Sequence, residues 1–356
     1  MIPSTRANLR HDGRARPRLA FVPAAAILLW LPACAPEATG GLEAPAADGA
    51  SSTAADPYPG INPLAQDRAG WQQLLTDHAA IRRTVHHREE AGVAIVEAVT
   101  ESSDPTVAAA IREHARAMQA RMKVGGRVRV WDPVFREMFL HYRDISIDVA
   151  ETPDGVRIVE RSSNAEAISL MRSHAAGVSE FVREGHEAGG RETPRIPVDA
   201  PMPPDEVSIG GQPFRFLLVP PDAEQLAMLK SQGAGTILDF SEASERPGFN
   251  EGAAARQAGL GYCNLPYREP PELTDGTLDQ AREALRKARA EKRVLVLHCA
   301  DGSRTAPVWA VYRVLDQGVP LEVALGEARA LRMQDPRFEI VIREYVGRRA
   351  PPPAAS

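Results

Sequence analysis

Cysteine is scarce in this chain: three in 356 residues, Cys34, Cys263 and Cys299. That is too few for a disulfide framework in a domain of this size, so each thiol has to be read singly. Histidine pairs with the tight spacing of a zinc site are also missing, and no metal or cofactor is expected. A strong charge imbalance is absent: 42 basic against 47 acidic residues leave a net charge of −5, which gives no reason to expect a nucleic-acid partner. The apolar run from Leu19 to Trp30 is too short for a comfortable membrane span. With Arg14, Arg16 and Arg18 ahead of it, that run reads as a secretion signal.

Leu31-Pro32-Ala33-Cys34 follows the signal and resembles the lipobox of bacterial lipoproteins. The resemblance implies a signal over 1–33, lipidation of Cys34 as the mature N-terminus, and a membrane anchor. Ala35, rather than Asp, comes next, which by the same resemblance does not mark retention in the inner membrane; the protein is expected to be membrane-anchored and to face the periplasm. Residues 34–63 are rich in Ala, Pro, Gly and Ser and read as a flexible tether.

What is present, and what organises the rest, is the stretch Val294-Leu295-Val296-Leu297-His298-Cys299-Ala300-Asp301-Gly302-Ser303-Arg304-Thr305. Four apolar residues in a row predict a buried parallel strand, and the apolar segment from Thr305 to Leu315 predicts a helix. A strand, a Gly-containing loop and a helix N-terminus make an anion site, because loop N–H groups and the helix dipole converge on one point. Cys299 opens the loop and Arg304 closes it. A thiol in that setting is expected to ionise more readily than a free one. Arg304 offers a planar fork that matches a phosphate. Ala300, Asp301, Gly302, Ser303 and Thr305 are the candidate substrate-binding positions, with the Thr305 hydroxyl expected to assist the sulfur. Asp301 would repel a dianion if it faced inward, so it is expected to point to solvent or to orient Arg304. His298 is expected to support the loop by hydrogen bonding.

The segment His298 to Thr305 resembles the phosphate-binding loop of protein tyrosine and dual-specificity phosphatases. Those enzymes usually have five residues between Cys and Arg, whereas this chain has four, a spacing more like that of rhodanese sulfurtransferases. A bacterial group of phosphatase-like domains, the beta-lactamase-hydrolase-like family, combines the shorter loop with a Gly-Gln-Pro opening and a Trp-containing helix after the Arg. Gly211-Gln212-Pro213 and Pro307-Val308-Trp309-Ala310 match those features, so the resemblance covers about 205–346. It implies Cys299 as nucleophile, Arg304 as phosphoryl ligand, and a general acid on a loop about thirty residues upstream. Counting back leads to the loop Tyr267-Arg268-Glu269-Pro270-Pro271-Glu272, with Glu269 as the candidate acid and Glu272 or Asp275 in reserve. Glu242 and Glu245 follow another strand and could line the cleft.

Upstream, 64–190 contains an internal repeat. Gly92 to Glu97, Ser102-Ser103-Asp104 and Ile111 to Ala115 recur as Gly155 to Glu160, Ser162-Ser163-Asn164 and Met171 to Ala175. Each copy reads as strand, turn, strand and a helix capped by Asp104 or Asn164. Seven of nine histidines lie here: His78, His86, His87, His114, His141, His174 and His186. His114 and Met118 share a helix face and together would suit copper or haem iron, but Val178 stands where the second copy would need its Met. Hydrogen-bonded histidines are the plainer reading.

The fold expectation is α/β: a C-terminal, mostly parallel sheet flanked by helices at 205–348, joined by a linker at 191–204 to a smaller duplicated α+β domain at 64–190. Cys263 and Cys299 are expected to approach closely enough for a reversible protective disulfide. Three functions follow from these residues: a cysteine-based phosphatase acting on a phosphorylated protein or small molecule, a sulfurtransferase carrying a Cys299 persulfide, or a non-catalytic metal- or anion-binding lipoprotein.

Overall fold

A computed structural model describes residues 64–126 and 128–349. The secretion signal, Cys34 and the tether lie outside the described residues. Among the described residues, no helix is long and apolar enough to cross a membrane.

The chain opens with α1 (Leu64–Thr76), β1 (Arg82–Glu90), β2 (Val93–Glu101), α2 (Pro105–Met122), α3 (Pro133–Leu140), β3 (Ser146–Thr152), β4 (Gly155–Ser162), α4 (Ala165–Glu184) and the short α5 (His186–Gly189). Ala91 and Gly92, both at positive φ (51° and 78°), turn β1 into β2, as a two-residue hairpin requires. The sequence repeat has a physical purpose at each helix start. The Ser102 hydroxyl accepts the Asp104 N–H, and Asp104 accepts from Thr106 and Val107; Ser162 and Asn164 do the same for Glu166 and Ala167. In both copies the cap holds helix N–H groups that have no partner within the helix.

The two copies meet at β2 and β4, which pair antiparallel with Val96 opposite Glu160 and Glu97 opposite Val159. Positions equivalent in the repeat are thereby exchanged across the pairing, so a local pseudo-twofold axis passes between the two strands.

The second half contributes β5 (Glu206–Ile209), β6 (Phe214–Leu217), α6 (Ala223–Ser231), β7 (Ala234–Asp239), α7 (Glu251–Gln257), β8 (Gly261–Asn264), α8 (Asp275–Ala290), β9 (Val294–His298), α9 (Thr305–Gln317), α10 (Leu321–Ala330) and α11 (Arg337–Arg349). Among the described residues, nine strands form one sheet in the order β3-β4-β2-β1-β5-β6-β9-β7-β8. The expectation of a mostly parallel sheet is corrected here. The pairings β3–β4, β4–β2, β2–β1, β1–β5 and β5–β6 are antiparallel, and only β6–β9, β9–β7 and β7–β8 are parallel. Connectivity accounts for part of this: short turns join β1 to β2, β3 to β4 and β5 to β6, whereas helical crossovers join β6, β7, β8 and β9; the antiparallel β4–β2 and β1–β5 pairs join strands that are not consecutive in the chain. The duplicated region does not close its own sheet, because Arg82 to Val85 of β1 pair with Glu206 to Ile209 of β5. Behind that seam, Arg215 on β6 donates through Nε to the buried Glu206 carboxylate at 2.6 Å.

β9 is buried on both faces, which is why its sequence is continuously apolar. Leu295 and Leu297 face a core with Phe214, Phe216, Trp309 and Tyr312. Val296 faces the opposite layer, with Leu217, Leu226, Ile237 and Ala255. The Trp309 indole N–H reaches the Glu327 carboxylate at 2.8 Å, so the ring is buried without an orphaned donor. Gln212 of the Gly-Gln-Pro turn accepts from Arg289 at 2.7 Å and from Gln317 at 2.9 Å, and the Pro213 carbonyl accepts the Leu295 N–H. That turn ties β6 to the helix leading into β9 and to the helix leaving the loop.

Candidate active site

The β9 strand delivers His298 and Cys299 to its C-terminal end, and α9 begins at Thr305. Between them Gly302 sits at φ 89°, where a Cβ would also lie 3.1 Å from Leu218 Cδ2, so the loop needs glycine at this place. Cys299 is fully buried and is a free thiol. The expected Cys263–Cys299 disulfide is therefore not formed. The loop N–H groups converge on the sulfur: Gly302 N–H donates to Sγ at 3.1 Å and Arg304 N–H at 3.4 Å.

Burial pushes the Cys299 thiol above its ordinary value; the backbone donors and Arg304 pull it down, and the Asp301 charge pushes it up again. The net direction is upward. This corrects the expectation of a spontaneously ionised sulfur: a loop that excludes water removes more stabilisation from the thiolate than its donors restore.

Arg304 stands in place. Its Nη1 donates to the Glu245 carboxylate at 2.8 Å and to the Phe240 and Tyr267 carbonyls at 3.0 and 2.8 Å, and its Nη2 donates to Glu245 at 2.6 Å. Burial works against the guanidinium charge, but Glu245 and the Cys299 sulfur outweigh it and hold Arg304 above its ordinary value. Glu245 in turn is held below the usual carboxylate range, chiefly by the Arg304 hydrogen bond. Glu245 was legible only as a residue that could line the cleft. Its sequence signal is its place just beyond β7, the strand beside β9, in a short turn that Glu242 begins.

The structure places the remaining candidates as follows. The Thr305 hydroxyl donates to the Gly302 carbonyl at 2.7 Å rather than to the sulfur, because helix entry leaves that carbonyl facing it. Thr305 thus fixes the loop's curvature. Asp301 is exposed to solvent, as one of its two expected placements has it, and no hydrogen bond to the Arg304 side chain is found among the described residues. Its Oδ1 accepts from the Ser303 N–H at 3.0 Å and the Ser303 hydroxyl at 2.6 Å, and it lies 3.6 Å from Cys299 Sγ, within reach of the thiol hydrogen.

The loop bearing Glu269 lies against the site through Tyr267, whose hydroxyl donates to the Arg304 carbonyl. Glu269 itself is exposed and paired with Arg337 at 2.7 Å. Glu272 accepts the Arg268 N–H at 2.7 Å and the Glu269 N–H, and these two donors hold its carboxyl below the usual range. Asp275 pairs with Arg348 and Arg349. Both reserve candidates are thus held ionised by local donors, a poor state for giving up a proton.

Beneath the loop, His298 Nε2 and Glu251 Oε1 are 2.6 Å apart, and His298 Nδ1 lies 3.6 Å from Asp239 Oδ1. These three residues each bring a potential ligand atom within 4.8 Å of the others. Their carboxylate oxygens already have protein partners: Ser241 N–H, Tyr262 Oη and Asn264 Nδ2 on Asp239, and Arg246 with His298 on Glu251. The cluster is a hydrogen-bonded footing for the loop, which extends the supporting role expected of His298.

The histidines of the duplicated region do not gather into one site. His78 bonds the Val182 carbonyl, His86 pairs with Asp205, His141 with Asp144, and His114 stacks on Trp71. His87 is pushed down to about 4 by burial.

No family model matches the chain, and no curated protein matches it. Among solved structures it is similar to a kinase-associated phosphatase whose catalytic-site cysteine is replaced by serine, at 18% identity over 38% of this chain and 87% of that one, with a TM-score of 0.36. A second is TpbA of P. aeruginosa in complex with pTyr, at 20% identity over 40% and 82%, with a TM-score of 0.32. A third is a putative phosphatase of Shewanella putrefaciens, at 16% identity over 39% and 87%, with a TM-score of 0.33.

Proposed function

We propose that this chain is a cysteine-based phosphatase that hydrolyses a phosphate monoester through a phosphocysteine on Cys299. The observation that carries the reading is the convergence of the Gly302 and Arg304 N–H groups on Cys299 Sγ at the start of α9, beside a guanidinium fixed by Glu245. Such a loop binds a tetrahedral anion with its backbone and puts a nucleophile at the base of the cradle.

In the first step Cys299, having lost its proton to solvent, attacks as the thiolate: a Sγ–P bond forms and the P–O bond to the leaving group breaks. The leaving oxygen takes a proton, for which Glu269 is the proposed donor once Arg337 is displaced by the substrate. In the second step water attacks phosphorus and passes a proton to the Glu269 carboxylate left by the first step, the Sγ–P bond breaks with its electron pair returning to sulfur, and inorganic phosphate leaves. Arg304 and the loop N–H groups balance the charge on the equatorial oxygens throughout.

Hydrolysis of an aryl phosphate by wild type, lost in Cys299→Ser, tests the reading. The four-residue spacing between Cys299 and Arg304 favours one other activity, sulfur transfer through a Cys299 persulfide. Thiosulfate-to-cyanide transfer without phosphate release would replace the first reading with that one. The proposed location, a lipid anchor on Cys34 facing the periplasm, rests on the sequence from Arg14 to Cys34. Radiolabelled fatty-acid incorporation that is lost in Cys34→Ser tests it.

A further inference from the structure

Buried charges in folded proteins are paired, and Arg172 on α4 is buried without a pair. It is 9% exposed, its hydrogen bond to the Ala200 carbonyl is long at 3.3 Å, and no carboxylate among the described residues lies within ion-pair reach of it. Burial holds the guanidinium below its ordinary value, and the charge that supports it is that of the exposed Glu89. The internal repeat supplies the contrast. Arg112, the equivalent residue of the first copy, donates to the Thr152 and Pro153 carbonyls at 3.0 and 2.6 Å and stands 3.7 Å from the Glu151 carboxylate.

Arg172 lines a cavity at the seam where β1 meets β5. Arg172, Ala176 and Ser179 share one face of α4 at helical spacing, and the alanine leaves the space. His87 of β1, Glu206 of β5 and Gln232 just after α6 complete the wall. Three buried polar atoms on it have no hydrogen-bond partner: His87 Nδ1, Ser179 Oγ and Gln232 Nε2. Ser173 of the same helix donates to the Ser169 carbonyl one turn back, at 2.7 Å, a bond that Ser179 does not make. Gln232 Oε1 accepts from Arg215 Nη1 at 2.8 Å, and since a guanidinium cannot accept, the amide NH2 is the end left over. Glu206 is taken up by Arg215, and Asp205 beside it by His86 and the His87 N–H, so neither carboxylate serves Arg172. The wall thus offers one uncompensated positive charge and several donors. Water would satisfy the donors but brings no charge.

We propose that this cavity is a binding site for one small monoanion, chloride, held by the Arg172 guanidinium, the Ser179 hydroxyl and the Gln232 amide, which ties α4 to the second half of the chain. The room is that of a particle of about water size, which admits a monatomic ion and shuts out phosphate. One unpaired guanidinium matches one negative charge. The site is independent of the chemistry at Cys299.

The test follows the melting temperature while chloride replaces a large organic sulfonate at constant ionic strength. The wild-type melting temperature is expected to climb with chloride once the dissociation constant is passed, because the ion binds only the folded chain. In Arg172→Met that climb disappears, with chloride affinity lower by at least about thirtyfold. Without chloride the variant is expected to melt at or above wild type, since the unpaired charge is gone and methionine keeps most of the volume. An arginine already satisfied by the protein predicts the opposite order. Ala176→Leu fills the space and keeps every charge; it should also remove the climb, and it reads the same difference should Arg172→Met fail to fold. Crystals of wild type grown with bromide should show its anomalous signal beside Arg172 and Ser179. A wild type indifferent to chloride means a cavity filled by water and overturns the proposal. An equal climb in wild type and the variants, or Arg172→Met melting below wild type without chloride, overturns it as well. A bromide signal with no chloride dependence in solution is an adventitious ion only and does the same.

Discussion

Replacing Glu245 by alanine removes the one carboxylate that holds the Arg304 guanidinium, and the consequence can be worked from the geometry. The Arg304 side chain is 8% exposed and that of Glu245 17%, with the two groups joined through both carboxylate oxygens. Breaking a buried pair by deleting one member costs about 3–5 kcal/mol, because the survivor is a charge away from water. Here the Phe240 and Tyr267 carbonyls still accept from Nη1, so the lower end applies, about 3 kcal/mol. For a chain of this size that is a fall in melting temperature of roughly 6–12 °C. Glu245→Gln keeps the shape and one acceptor oxygen and should lose about half as much, in the range of about 1.5–3 kcal/mol for a charged hydrogen bond. The guanidinium then loses its fixed direction, and kcat/KM for an aryl phosphate should drop about 10²–10³-fold, as for loss of one preorganised oxyanion donor. The pH dependence follows from the sign of the shift. Arg304 holds the Glu245 carboxyl below its usual range, so the stabilisation is complete above the ordinary carboxylate value of about 4.3 and is lost as the pH falls through the lower, folded value. The stability gap between wild type and Glu245→Ala should therefore close in strong acid. A variant that melts within a degree of wild type at neutral pH and keeps its kcat/KM would refute the clamp.

Other consequences are smaller but independent. Thr305→Val should lower stability by about 1 kcal/mol through the lost bond to the Gly302 carbonyl, while leaving the pH midpoint of Cys299 alkylation unchanged; a moved midpoint would show that the hydroxyl serves the sulfur after all. The resting thiol, pushed up by burial, should alkylate slowly near neutrality and speed up as the pH rises beyond the ordinary cysteine value; a rate already level at neutral pH would contradict the burial argument. Asp104→Ala and Asn164→Ala should each cost about 1 kcal/mol in urea titrations and should add in the double variant, since each cap serves its own helix. Glu269→Gln should slow alkyl phosphate hydrolysis about 10²-fold and nitrophenyl phosphate hydrolysis far less, because only the poor leaving group needs the proton.

The nucleophile strand, its loop and the following helix could be read from residues 294–315 because each part has a local cause: a continuous apolar run for a strand buried on both faces, a glycine at positive φ, and an apolar helix behind it. The duplicated helix caps were legible for the same reason, since Ser-Ser-Asp and Ser-Ser-Asn act on N–H groups within three residues. What could not be read is non-local. The pairing of β1 with β5 joins segments more than a hundred residues apart, and nothing in either strand names its neighbour. The clamp on Arg304 comes from Glu245, fifty-nine positions away, and its chemistry is that of any surface carboxylate until the sheet brings it under the loop. The direction of the Cys299 shift was missed because the sequence displays the donors around a thiol but not how completely water is excluded from it. Asp301 is expected to point to solvent or to orient Arg304, and it is indeed exposed, but its nearness to the sulfur was not legible. Its ring of contacts with Ser303 is local, yet its distance to the sulfur depends on the exact fold of a six-residue turn.

Rapid-quench turnover of an aryl phosphate, followed by mass analysis of the peptide containing Cys299, tests the central claim most directly. The account predicts one phosphoryl group on Cys299, appearing within the first turnover, and none in Cys299→Ser. Phosphate release with an unmodified Cys299 at every time point would contradict it.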